Sequence, residues 1–131
     1  MLRRRRMDPR AQRVALQISG SRIAIGAGAL LATRPALKLL GFGEPEATGL
    51  ALARLAGGRD IALGALTVAA RDDAQRLRTL LLVSSACDIA DAVGLGASAR
   101  HPETRRAGIG GIVSGAAAAI AGLWARRRLG G

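Results

Sequence analysis

Read for polarity alone, the chain alternates long apolar stretches with short charged ones. Four windows carry the apolar positions: residues 14–33 (VALQISGSRIAIGAGALLAT), 48–70 (containing RLAGGRDIALGAL), 79–99 (TLLLVSSACDIADAVGLGASA) and 107–125 (AGIGGIVSGAAAAIAGLWA). They are 20, 23, 21 and 19 residues long, and a helix rising about 1.5 Å per residue needs roughly 20 residues to cross the hydrocarbon of a bilayer. Each window predicts a spanning helix, and no stretch shows the period-two alternation of a half-buried strand. The segments between them, RPALKLLGFGEPEA, RDDAQRLR and RHPETRR, hold Pro35, Gly41, Gly43, Pro45 and Pro102 and read as loops, with PALKLL a short interfacial turn. The expected fold is all-α, a four-transmembrane-helix bundle running up-down-up-down, with a basic tail at residues 1–13 and another at 126–131.

Composition sharpens this picture. Half of the 131 residues are apolar, yet Trp124 and Phe42 are the only aromatics and Tyr is absent. Soluble cores lean on large aromatic side chains, whereas Ala and Gly suit close helix contact in lipid, where packing drives association. A soluble four-helix bundle is the rival reading, since the windows are rich in Gly and interrupted. The net charge is +11, and Lys38 is the sole lysine among twenty basic residues. With the N-terminus cytoplasmic, twelve of these fall on the inner side against five outside, which places both termini in the cytoplasm and the chain in the inner (plasma) membrane. Trp124 and Phe42 then sit where interfacial aromatics belong. Arg22 interrupts the first window, which argues against a cleaved signal peptide, and Met7 is an alternative start to Met1. The tails RRRR and ARRR are topology signals that also attract anionic lipid head groups, at about 1 kcal/mol per charge near the surface. Nucleic acid is not an expected partner, because stacking aromatics and a reading motif are missing.

Six charges lie inside the windows: Arg22 in the first, Arg54, Arg59 and Asp60 in the second, Asp88 and Asp91 in the third. Three are positive and three negative. Counted from the window centres, all but Arg54 lie within about 3 Å of one plane, and Arg54 lies roughly 7 Å towards the outer face. A charge at that depth costs about 2.5–3.5 kcal/mol on insertion-type scales, so the six are expected to face inwards and pair. Asp88 and Asp91, three apart, share a helix face and offer a landing site for a guanidinium from a neighbouring helix. Arg59 and Asp60 diverge by about 100° and should not neutralise each other; Asp60 is expected to meet Arg22, and Arg59 to meet Asp88 or Asp91.

The fourth window is uncharged, with Gly111 and Gly115 four apart beside Ser114 and Ala118. It predicts a packing face within the bundle, with a homodimer seam as the alternative. GLGASA matches a loose dinucleotide fingerprint but closes a helix instead of opening one after a strand. One Cys87 and one His101 make neither an intrachain disulfide nor a zinc site, and Cys87 is expected as a small buried hydrophobe. No P-loop, nucleophile elbow or HExxH is present, so no cofactor, metal or catalytic residue is assigned and an enzyme is not the favoured reading.

The runs SRIAIGAGALLA, RLAGGRDIALGAL and ACDIADAV resemble an uncharacterised family of small four-helix integral membrane proteins of actinobacteria, filed as a domain of unknown function. The resemblance spans roughly residues 21–124, and its most specific parts are the GxRD-like element Gly57-Gly58-Arg59-Asp60, with Gly64, and the pair Asp88 and Asp91. It implies four helices and a polar centre and brings no activity, substrate or cofactor with it. Two functions follow from the charges. One is a scaffold or partner-binding subunit, homo-oligomeric or bound to another membrane protein, whose ion pairs fix helix register. The other is a small transporter or proton-coupled protein using Asp88, Asp91 or Asp60, since intramembrane acids are functional suspects by default.

Overall fold

The computed structural model describes residues 7–130. Five helices follow in chain order: α1 Pro9–Leu31, α2 Thr33–Leu39, α3 Ala47–Ala69, α4 Ala74–Ser98 and α5 Arg105–Arg128. Each long helix starts ahead of its apolar window, by five residues in α1 and α4, one in α3 and two in α5, and only α5 also runs past its window's end. α1 starts at Pro9 because the Asp8 carboxylate accepts from the Arg10 N–H at 2.9 Å, while proline at the first helical position gives up an N–H that has no partner there anyway. Residues 9–13 are therefore helix and not tail, and Arg3–Arg6 of the expected tail lie outside the described residues. At the other end α5 carries its helix through Arg126, Arg127 and Arg128, where positive charge suits the C-terminal dipole and Arg128 lies 5.8 Å over the Trp124 ring.

The expected turn at PALKLL is a seven-residue helix, α2. It ends in a Schellman arrangement: Phe42 N–H donates to the Leu37 carbonyl and Gly41 N–H to the Lys38 carbonyl, with Gly41 at φ +91°. A side chain at Gly41 would also crowd the Ala107 nitrogen at 3.2 Å, so the loop sits close on the start of α5. Asp73 caps α4 by accepting from the N–H groups of both Gln75 and Arg76 at 3.1 Å.

The long helices pack as two antiparallel pairs, α1 with α3 and α4 with α5. Glycine sets both distances. A Cβ on Gly57 would lie 2.8 Å from the Gly26 carbonyl oxygen, and one on Gly64 the same distance from the Ser19 carbonyl, so α1 and α3 meet backbone to backbone. In the second pair Gly108 faces the Leu95 carbonyl and Ala99, Gly115 faces the Asp88 carbonyl and Ala92, and Gly122 faces Ser85. The packing face foreseen on the fourth window is thus used inside the chain: Gly111 and Gly115 contact α4, while Ser114 is exposed and bonds back to its own helix. The two pairs meet along looser seams. At one end of the molecule Ala11 and Ala15 of α1, Leu77 and Leu81 of α4, and Ala125 and Leu129 close a small apolar core.

Polarity is inverted relative to a water-soluble bundle. Apart from Leu77, Leu81 and Leu129, the buried apolar residues are alanines, while Ser19, Arg22, Thr33, Thr67, Ser84, Ser85 and Asp88 are buried. Large apolar side chains point outwards along every long helix, among them Ile25, Leu55, Val93 and Ile120. Three helices, α1, α4 and α5, are long and apolar enough to cross a membrane. α3 is 23 residues long, as is α1, but carries Arg54, Arg59 and Asp60 and does not reach the same standard of apolarity.

Candidate functional site: an ion-pair network between helix pairs

Arg22 projects from the middle of α1 into the space between the two pairs, with its side chain only 8% exposed. Its Nη1 donates to Asp60 Oδ1 of α3 at 2.9 Å. Its Nη2 donates to the Ser84 carbonyl of α4 at 3.2 Å and to Asp88 Oδ1. One guanidinium thus ties α1 to both α3 and α4. Its Nε is buried without a partner among the described residues.

Beside it, Arg59 of α3 forms a two-pronged bond with Asp91 of α4, Nη1 to Oδ1 at 3.1 Å and Nη2 to Oδ2 at 2.6 Å. This parallel fork is the strong geometry of a guanidinium with a carboxylate. Arg59 also turns back onto its neighbour, with Nη2 at 3.2 Å and Nε at 3.4 Å from Asp60 Oδ1. The expectation that adjacent residues would stay apart fails because a long guanidinium stem can fold across the helix surface. Asp60 consequently uses one oxygen for both arginines.

Of the six predicted residues, Arg22, Asp60, Asp88, Arg59 and Asp91 come together, and the foreseen partners, Asp60 with Arg22 and Arg59 with Asp91, are those observed. Asp88 and Asp91 do not share one guanidinium, because each takes its own. Arg54 is outside the network. It is exposed, and its Nε donates to the Thr33 hydroxyl at 3.3 Å. Seven residues into α3 it lies about 10 Å from that helix's start, one and a half turns from Arg59. The balance of three against three is therefore not kept inside the seam, where two guanidiniums face three carboxylates. Three partners were not foreseen: Asp88 for Arg22, where it was expected only as an alternative partner of Arg59; the Ser84 carbonyl, which has a second lone pair although its helix already uses the first; and Thr33 for Arg54. Cys87, expected to be buried, is half-buried on α4.

Further along the α3–α4 seam, at the loop end, a groove of about 610 Å³ opens between Leu66, Ala70, Arg76, Thr79 and Leu80. Away from the network, Glu44 bridges Lys38 and Arg34 of α2, the latter at 3.7 Å. The hydrogen bond from Lys38, reinforced by its charge, holds the Glu44 carboxyl below the usual range.

An all-α chain with three helices long and apolar enough to span a bilayer, and with a buried arginine on one of them paired to an aspartate on another, is built as membrane proteins are. Which family it represents follows from its sequence: residues 20–125 match the model described as Domain of unknown function (DUF4267), and the chain belongs to that family. The matched stretch contains all six charges and both glycine-lined helix crossings. No curated protein and no solved structure matches the chain.

Proposed function

We propose that the chain is a multi-pass protein of the inner (plasma) membrane in which all four long helices cross, up-down-up-down, with both termini cytoplasmic. In this reading it serves as a scaffold or partner-binding subunit. The observation that carries it is Arg22, buried and shared between Asp60 and Asp88, in a molecule whose outward surface is apolar. α3 can cross despite its charges, because Arg59 and Asp60 are held in the network and Arg54 is displaced towards the helix start, where a long side chain reaches the interface. A network of this kind fixes which helix faces which, the best-attested use of buried ion pairs. The basic ends carry the inner-side charge and recruit anionic lipid head groups.

Alkaline washing of membranes tests the placement: an integral protein stays in the pellet, and release into the supernatant removes the reading. A transport role is the second reading, and the unequal count of two guanidiniums and three carboxylates favours it, since one acid has no cation of its own. In proteoliposomes, Asp88→Asn should abolish pH-dependent flux under that reading while the protein stays folded; under the scaffold reading there is no flux to lose.

A further inference from the structure

The Arg59–Asp91 pair stands apart from the rest of the network. Arg22 and Asp88 have side chains 8% and 11% exposed, whereas Arg59 and Asp91 are 34% and 41% exposed on the outer lip of the α3–α4 seam. In water such a pair would be solvated. In a helix crossing hydrocarbon, the same exposure leaves an ion pair facing lipid, which membrane proteins avoid by turning charges towards protein.

We infer that this seam is where a second copy of the chain docks, with Arg59 and Asp91 of each copy set against Asp91 and Arg59 of the other. The inference rests on the membrane reading above. Opposite charges side by side on one face are self-complementary, because a two-fold rotation brings each over its opposite. The patch is neutral, so two copies do not repel. Bonding capacity is left over as well: Nη1 of Arg59 has a second N–H beyond the one given to Asp91, and each Asp91 oxygen has a lone pair beyond the one it uses. Gly94, three residues from Asp91 on α4, is exposed with open space where a side chain would stand, so a second backbone can come close. The rival seam on α5 is already spent on α4, through Gly108, Gly111, Gly115 and Gly122.

The test has two arms. In a Cys87→Ala background, Leu55→Cys or Gly94→Cys should give a disulfide-linked dimer on oxidation of native membranes, whereas Ile25→Cys on α1 and Ile120→Cys on α5 should not. In dilute bilayers, single-molecule photobleaching should find the wild type dimeric. Arg59→Gln/Asp91→Asn should weaken association at least tenfold while keeping the fold, since Arg22, Asp60 and Asp88 are untouched. Two coexpressed chains, one Asp91→Arg and the other Arg59→Asp, should pair with each other and not with themselves, which a purely internal role for these residues would not produce. A wild type that is monomeric, disulfides at the α1 or α5 sites with none at the seam, or a different protein crosslinked there would overturn the proposal. Release by alkaline washing would instead remove the membrane reading beneath it; an integral monomer removes only this step.

Discussion

Replacing Arg22 by glutamine strands one carboxylate and not two. Asp60 keeps Arg59 at 3.2 Å, but Asp88 loses the only guanidinium bound to it among the described residues. Breaking a buried pair from one side costs about 3–5 kcal/mol, and with side chains 8% and 11% exposed there is little solvent screening to soften that. Asp88→Asn is the milder change. Arg22 retains Asp60 at 2.9 Å and the Ser84 carbonyl at 3.2 Å, and the asparagine's own carbonyl oxygen can still accept. Losing one charge-assisted bond in that setting costs about 1.5–3 kcal/mol, towards the lower end. The expected order is therefore Arg22→Gln well below Asp88→Asn in stability, by about 2 kcal/mol. The double variant should lie above the sum of the two, with a coupling in the range of about 0.5–3 kcal/mol for groups in one network. Unfolding the purified protein by SDS titration in mixed micelles measures all three. Equal losses from the two single changes, or a double variant that is simply additive, would falsify the assignment of Arg22 as the shared clamp.

Two further outcomes follow from other parts of the fold. Gly108→Ala drives a methyl to within 2.6 Å of the Leu95 carbonyl and the Ala99 nitrogen, so α4 and α5 must part, at about 1–3 kcal/mol; Gly110→Ala meets nothing and should gain up to about 1 kcal/mol, so the same titration should give opposite signs two residues apart. Glu44 sits fully exposed with its carboxyl held low by Lys38, so its contribution is present above the ordinary glutamate range and lost only as pH falls through its lowered value. Hydrogen-exchange protection around α2, taken relative to the intrinsic rate at each pH, should then hold down through the ordinary glutamate range and fall only below it, with α4 and α5 unaffected; loss of protection already above that range would sink this account.

The residues that paired as expected did so because depth along a helix is nearly fixed by counting. Arg22, Asp60, Asp88, Arg59 and Asp91 occupy the middle turns of their helices, and any close packing of α1, α3 and α4 brings them level. Arg54 could not be placed in this way. Its partner Thr33 closes the first apolar window but opens α2, a separate helix that runs on into what reads as a loop, and side-chain choice between a carboxylate and a nearby hydroxyl depends on the angle of α2. The same limit explains the fold-back of Arg59 onto Asp60, since backbone spacing says where a stem begins and not where its guanidinium ends. Some of what was missed was visible. Asp8-Pro9 is a helix-start signal upstream of the first apolar window, and Gly57 and Gly64, seven apart, mark a helix contact as plainly as Gly111 and Gly115 do.

The pairing of α1 with α3 and of α4 with α5 bears on how the molecule is made. The first two long helices are consecutive in the chain and close on each other through Gly26, Gly57 and Gly64, so that half is complete once Ala69 has been synthesised. In the folded chain Arg22 spans the two halves, with one prong on Asp60 of the first and the other on Asp88 and the Ser84 carbonyl of the second. The guanidinium is thus a latch between the two hairpins, each of which can close on itself without it.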